Sequence, residues 1–228
     1  LIDDWPDAPD NHPVIFDRIT GDSIRQAALR CEGSAGPSNS GLDSSAWQRL
    51  CTSFKGASTD LCNSLALFAR RICTEDVSHQ GLAAFTACRL IALDKCPGVR
   101  PIGVAEVVRR ILGKSILRAV ASDVLQVTGS VQLCAGQDGG CEAAIHATCL
   151  LYGCEQSDGA LLVDASNAFN QLNRQVALHN VDKICPSVGT VLRNTYRGAA
   201  ELFVDGTSLL SQEGTTQGDP LAMVFYAI

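Results

Sequence analysis

The sequence predicts an α+β fold, and three observations predict it: helical apolar stripes through the first eighty residues, a hairpin pattern over residues 84–104, and a second hairpin signal at Asp205-Gly206. Composition agrees with a globular chain. At 228 residues, 46% hydrophobic and 18% charged, the length suits one large domain or two small ones with a core to bury. Eleven cysteines include no CxxC pair, and their odd number does not suit a closed disulfide framework. They read as reduced, mostly core-filling thiols of an intracellular protein. No signal peptide or membrane run is present, so the expectation is a soluble protein of the nucleus or cytoplasm with no membrane partner.

The net charge of −6 is unevenly spread. Residues 1–88 hold seven basic and eleven acidic side chains, residues 89–118 seven and two, and residues 119–228 four and eleven. A polyanion would be gripped by the middle segment and a cation by the last.

Taken in order, residues 1–19 are rich in Asp and Pro and lack periodicity, which predicts an extended lead-in, and with no initiator methionine the chain is expected to begin mid-domain. Asp22 is placed to cap a short helix through Ile24, Ala28 and Leu29, and GSAGPSNSG (residues 33–41) to form a flexible loop. Two helices follow over residues 45–54 and 60–73, the second with Leu61, Leu65, Phe68 and Ile72 on one stripe. Cys51, Cys62 and Cys73 recur every eleven residues, but no histidine beside them suggests a metal site.

A strand is expected over residues 84–93, a turn at residues 94–98 with Lys95 at its tip, and a returning strand over residues 99–104 with Arg100 at its start. AEVVRRILGKSILRAV (residues 105–120) then reads as a helix with Arg110, Lys114 and Arg118 on one side and Val108, Ile111 and Leu112 on the other. Such a stripe reads equally as a solvated face or as a nucleic-acid contact. QLCAGQDGG (residues 132–140) is a loop, and residues 141–152 a compact helix with a packed or capping His146.

In ALLVDASNAFN (residues 160–170) an apolar run stops at a carboxylate. Leu161, Leu162 and Val163 read as a short strand buried on both faces, which would deliver Asp164 to the edge of the core, where it would hold a hard cation or cap the next helix. A helix from Phe169 through Leu172, Val176 and Leu178 to Ile184 is expected next, ended by Pro186. In EGTTQGDPLAM (residues 213–223), Asp219 followed by Pro220 has the order of a helix start. Gly218 would let a base or ribose approach the backbone, and Gln217 offers an amide that donates and accepts.

Four of these segments, in order, resemble the reverse transcriptases of non-LTR (LINE-like) retrotransposons: ALDKCPGVRPIGV with the helix containing ILGK, LCAGQDGGCEAAIHA, LLVDASNAFNQLNR and EGTTQGDPLAM, spanning residues 92–223. The resemblance implies the fingers and palm of a right-hand polymerase: a helical N-terminal extension over residues 1–80, fingers over 81–159 and an incomplete palm over 160–228. It implies an RNA-directed DNA polymerase acting on an RNA template, a DNA primer and deoxynucleoside triphosphates, with Mg2+ as cofactor. Asp164 would bind the catalytic magnesium ions with help from the Ala165 carbonyl. Phe169 would pack beneath the sugar and exclude a 2′-hydroxyl, Arg100 and Lys95 would hold the triphosphate, and Gln217 and Gly218 would line the nucleotide and template. Arg110, Lys114 and Arg118 would contact nucleic acid. Asn170 departs from the aspartate usual in the family.

Two metal ions need more than one carboxylate. The resemblance puts the others in an Asp-Asp hairpin downstream of residue 228, and the only Asp-Asp pair present is Asp3-Asp4. The expectation is that these residues hold half of the active site and do not polymerise. A truncated or decayed transposon product that at most binds nucleic acid is the alternative reading, and an unrelated magnesium phosphotransfer enzyme using Asp164 is a third. Against the third, Asp164 has no phosphate-cradling glycine loop beside it.

Overall fold

The computed structural model describes residues 14–31, 36–129, 132–133 and 137–228. The expected lead-in before residue 14, residues 33–35 of GSAGPSNSG and residues 134–136 of LCAGQDGGCEAAIHA lie outside the described residues. Helix accounts for about 57% of the structure, beside one four-stranded mixed sheet, so the chain is α+β.

Helix α1 (Gly21–Leu29) opens on a capping box in which Thr20 Oγ1 accepts from the Ser23 N–H and Ser23 Oγ accepts from the Thr20 N–H. Thr20 therefore takes the cap expected of Asp22, which is the second residue of the helix. Asp43 caps α2 (Ser44–Thr52), accepting the Ala46 N–H at 2.7 Å. Helix α3 (Gly56–Thr74) buries Cys62, Ala66, Ala69, Ile72 and Cys73, with Leu61, Leu65 and Phe68 packed at the margin. Helix α4 (His79–Thr86) occupies the first part of the expected strand. Ser78 caps it, and Leu82 and Thr86 repeat on its buried face, so the helical period prevails until Ala87.

Strand β1 (Cys88–Asp94) pairs antiparallel with β2 (Val99–Ala105) from Cys88↔Ala105 to Asp94↔Val99. Helix α5 (Val107–Thr128) runs past its expected end and buries Val107, Ile111, Leu112, Ile116, Val120 and Val124. After α6 (Gly140–Tyr152) the expected helix from Phe169 to Ile184 is broken in two, α7 (Ala168–Gln171) and α8 (Arg174–Ile184). Asn173 makes the break, because its side chain accepts the Val176 N–H at 3.1 Å and starts a new helix there. Helix α9 (Gly189–Tyr196) leads into the hairpin of β3 (Ala200–Val204) and β4 (Thr207–Ser211). Asp205 and Gly206 both have positive φ, 47° and 76°, as a type I′ turn requires. The sheet order is β2-β1-β3-β4, with β1 and β3 parallel and in register at Cys88↔Leu202 and Arg89↔Phe203. Helix α10 (Ala222–Ala227) ends the chain described.

One apolar cluster runs from Phe16 and Ile24 through Ile111 and Leu178 to Leu192 and Phe225, so the helices before residue 80 share a core with those that follow. Asn194 of α9 fastens α3 to it. Its amide donates to the carbonyls of Ile72 and Glu75, each at 2.8 Å, and its oxygen accepts the Val77 N–H at 3.0 Å.

Two further expectations are corrected. Leu161, Leu162 and Val163 are not a buried strand but irregular backbone outside the sheet, 89%, 88% and 83% exposed. An apolar run becomes a buried strand only where neighbours supply both a ladder and a cover, and no described segment supplies either. His146 is exposed rather than packed, as are Ile145, Leu150, Leu151 and Tyr152 on the same helix, of which only Gly140 is buried.

Candidate functional site

The loop between β4 and α10, residues 212–221, is held at both ends by buried arginines. Arg174, at the start of α8, donates through Nε to Gly214 O at 2.6 Å, through Nη1 to Ser211 O at 2.8 Å and through Nη2 to Glu213 O at 3.1 Å. Arg109, on α5, pairs with the Asp219 carboxylate and donates to Thr86 O at 2.9 Å. Tyr196 donates its hydroxyl to the same Asp219 oxygen at 2.6 Å, while the other Asp219 oxygen accepts the Leu221 N–H at 2.9 Å. Burial works against the Arg109 charge, but the adjoining Asp219 carboxylate raises its pKa above the ordinary arginine value, so the ion pair persists. Burial and then the Asp219 charge push the Tyr196 hydroxyl well above its usual pKa, which keeps it a donor.

Close approach fixes the loop against the sheet and α5. The Gly103 N–H donates to Gln217 O at 3.0 Å, and a Cβ on Gly103 would collide with Thr216 Cγ2. Gly218 has φ +107°, and a Cβ there would stand 2.7 Å from Gly103 O, so the glycine answers a demand of the chain itself rather than only that of an approaching base. A Cβ on Gly113, the glycine of ILGK, would lie 2.9 Å from Pro220. The Phe169 segment joins the same loop, because Phe169 O accepts the Thr215 N–H at 2.6 Å and its ring lies 4.7 Å from that of Tyr226.

These contacts frame an open cavity of about 690 Å³. Lys95 and Arg100 line it from the β1–β2 hairpin, Asp164 and Ala165 from the segment before α7, Phe169 from α7, and Gln217 and Gly218 from the loop. With Asn167 and Asp219 the lining holds two cations, two carboxylates, an aromatic ring and two amides, and the cations beside the ring and amides suit an anionic ligand bearing a polar planar or sugar portion. The helical stripe stands elsewhere. Arg110 is half-buried with Nε and one Nη lacking a partner, Lys114 donates to Arg30 O at 3.0 Å, and Arg118 lines a separate cavity of about 300 Å³ with Arg18 and Ser115.

A pair of magnesium ions does not fit the described residues. Asp164 and Asp219 are the carboxylates lining the cavity, and both oxygens of Asp219 are taken. Among the described residues no group of three His, Cys, Asp or Glu side chains comes together to hold a metal, and one carboxylate with one carbonyl leaves most of an octahedral shell to be filled.

Sequence reasoning missed Arg109, Arg174 and Tyr196. A signal existed for the two arginines. Arg109 recurs with Leu112, Ile116 and Val120, and Arg174 with Ala177, Leu178 and Val181, so each charge stands on a buried helical stripe. No candidate membrane span occurs among the described helices. Neither a protein-family model nor a curated protein matches this sequence.

Proposed function

We propose that the cavity receives a deoxynucleoside triphosphate, and that the chain forms fingers and part of the palm of an RNA-directed DNA polymerase of the retrotransposon reverse transcriptase type. One observation carries this reading: three segments far apart in sequence, each part of the reverse-transcriptase resemblance, line a single cavity. In it Lys95 and Arg100 grip the triphosphate, Phe169 packs under the sugar, and Gln217 and Gly218 face the base and template. Asp164, with the Ala165 carbonyl, would offer ligands to one magnesium ion at most. The cavity volume lies within the usual range for small-molecule sites.

Titration calorimetry of the purified chain with dATP tests the reading. Arg100→Ala is expected to weaken dATP about tenfold, because an arginine fork on phosphate makes charge-assisted bonds. Equal affinity in the two proteins would reject the assignment. A second reading, nucleotide or nucleic-acid binding without synthesis, is favoured by the single uncommitted carboxylate in the cavity, and primer extension separates the two.

A further inference from the structure

We propose that Arg109 and Tyr196 are positioning residues for nucleotide binding, acting through Asp219 to set where Gln217 and Gly218 stand in the cavity. The inference rests on the nucleotide reading above. Asp219 lines the cavity wall, yet its carboxylate is buried and fully engaged by Arg109, Tyr196 and the Leu221 N–H. It is thereby withdrawn from any cation that Asp164 meets. Its main effect is mechanical, since the residue adjoins Gly218 and its two side-chain partners stand on the core.

Arg109 is fixed by burial on α5 and by its bond to Thr86 O. Tyr196 is fixed by stacking on Phe225, ring centres 4.8 Å apart, and by the Arg174 guanidinium, which lies over the Tyr196 ring 5.6 Å from its centre. On the sheet side the loop is tied to β2 by the bond from the Gly103 N–H to Gln217 O. The backbone that carries Gln217 and Gly218 is therefore held by two anchors, one on the sheet and one on the helical core. Lys95 and Arg100 belong to the hairpin and use neither helical partner. Disturbing the network should then change recognition of the nucleoside and leave that of the phosphates alone.

The test compares dATP with inorganic tripolyphosphate on the full chain, alongside amide hydrogen exchange at Gly103. Tyr196→Phe keeps the stacked ring and removes one hydrogen bond to a buried carboxylate, so the fold is retained. Affinity for dATP should fall roughly tenfold, tripolyphosphate affinity should hold, and the Gly103 amide should exchange faster. Arg109→Lys, which keeps the charge but cannot reach both Thr86 O and Asp219 with one fork, should show the same split. Equal weakening of both ligands, or an unchanged Gly103 amide, would overturn the proposal. If the unmodified chain binds dATP no better than tripolyphosphate, the nucleotide reading fails, and Gly103 exchange alone then decides whether the network sets the loop.

Discussion

At Gly103 the addition of one methyl group has the clearest consequence, because the Thr216 methyl already fills the space a side chain would need. Gly103→Ala is expected to destabilise the chain by about 1–3 kcal/mol through overpacking. Thr216→Ser removes the obstructing methyl and should return most of that loss. Denaturant midpoints of the two single variants and the double variant measure the coupling, and strict additivity would show that the loop does not press on β2 there. The places of Gly218 and Phe169 on the cavity wall accord with motifs that lie within their own segments. The position of Thr216 against Gly103 is a long-range fact that no local pattern encodes.

Between elements, the junction of α3 with α9 depends on an uncharged amide. Asn194→Asp keeps the shape but sets an anion against the carbonyls of Ile72 and Glu75. The loss at neutral pH is expected to be about 3 kcal/mol or more. Such a carboxyl has a folded pKa above its unfolded value, so the deficit is greatest at pH above the folded pKa and shrinks as pH falls through it. Urea melts at pH 7 and pH 4 check this, and an equal deficit at both would show that charge is not the cause. Helices and hairpins were legible where one period dominated, as in α3 and in the β3–β4 hairpin with its Asp-Gly turn. They were misread where two signals competed: FTAC has strand composition, but the Ser78 cap and the Leu82 repeat make its first half helical. Leu161 to Val163 differ for another reason, since apolar content alone does not supply the cover that only other segments can provide.

Across the whole molecule, the shared core joins the helices before residue 80 to those bearing Arg109 and Arg174, so the cavity is held by packing drawn from most of the chain. With one uncommitted carboxylate there, this chain is expected to show no template-directed extension of a primed RNA in the presence of magnesium and deoxynucleotides. Product lengthening that Asp164→Asn abolishes would refute that expectation. Lys95, Arg100 and Asp164, named together from the sequence, line one cavity, and that much of its lining was legible there. Its scaffold was not, because Arg109 and Arg174 look like ordinary surface charges until their partners are known.

The two-residue parallel ladder between β1 and β3 makes the β1–β2 hairpin a cantilever. Its fulcrum is at Cys88 and Arg89, and its load, Lys95 and Arg100, sits at the far end. Over an arm of about 15–20 Å, a tilt of roughly 10° at the fulcrum carries the tip about 3 Å. That travel is about the length of a hydrogen bond, so bending at Cys88 and Arg89 would decide where the two cations stand in the cavity.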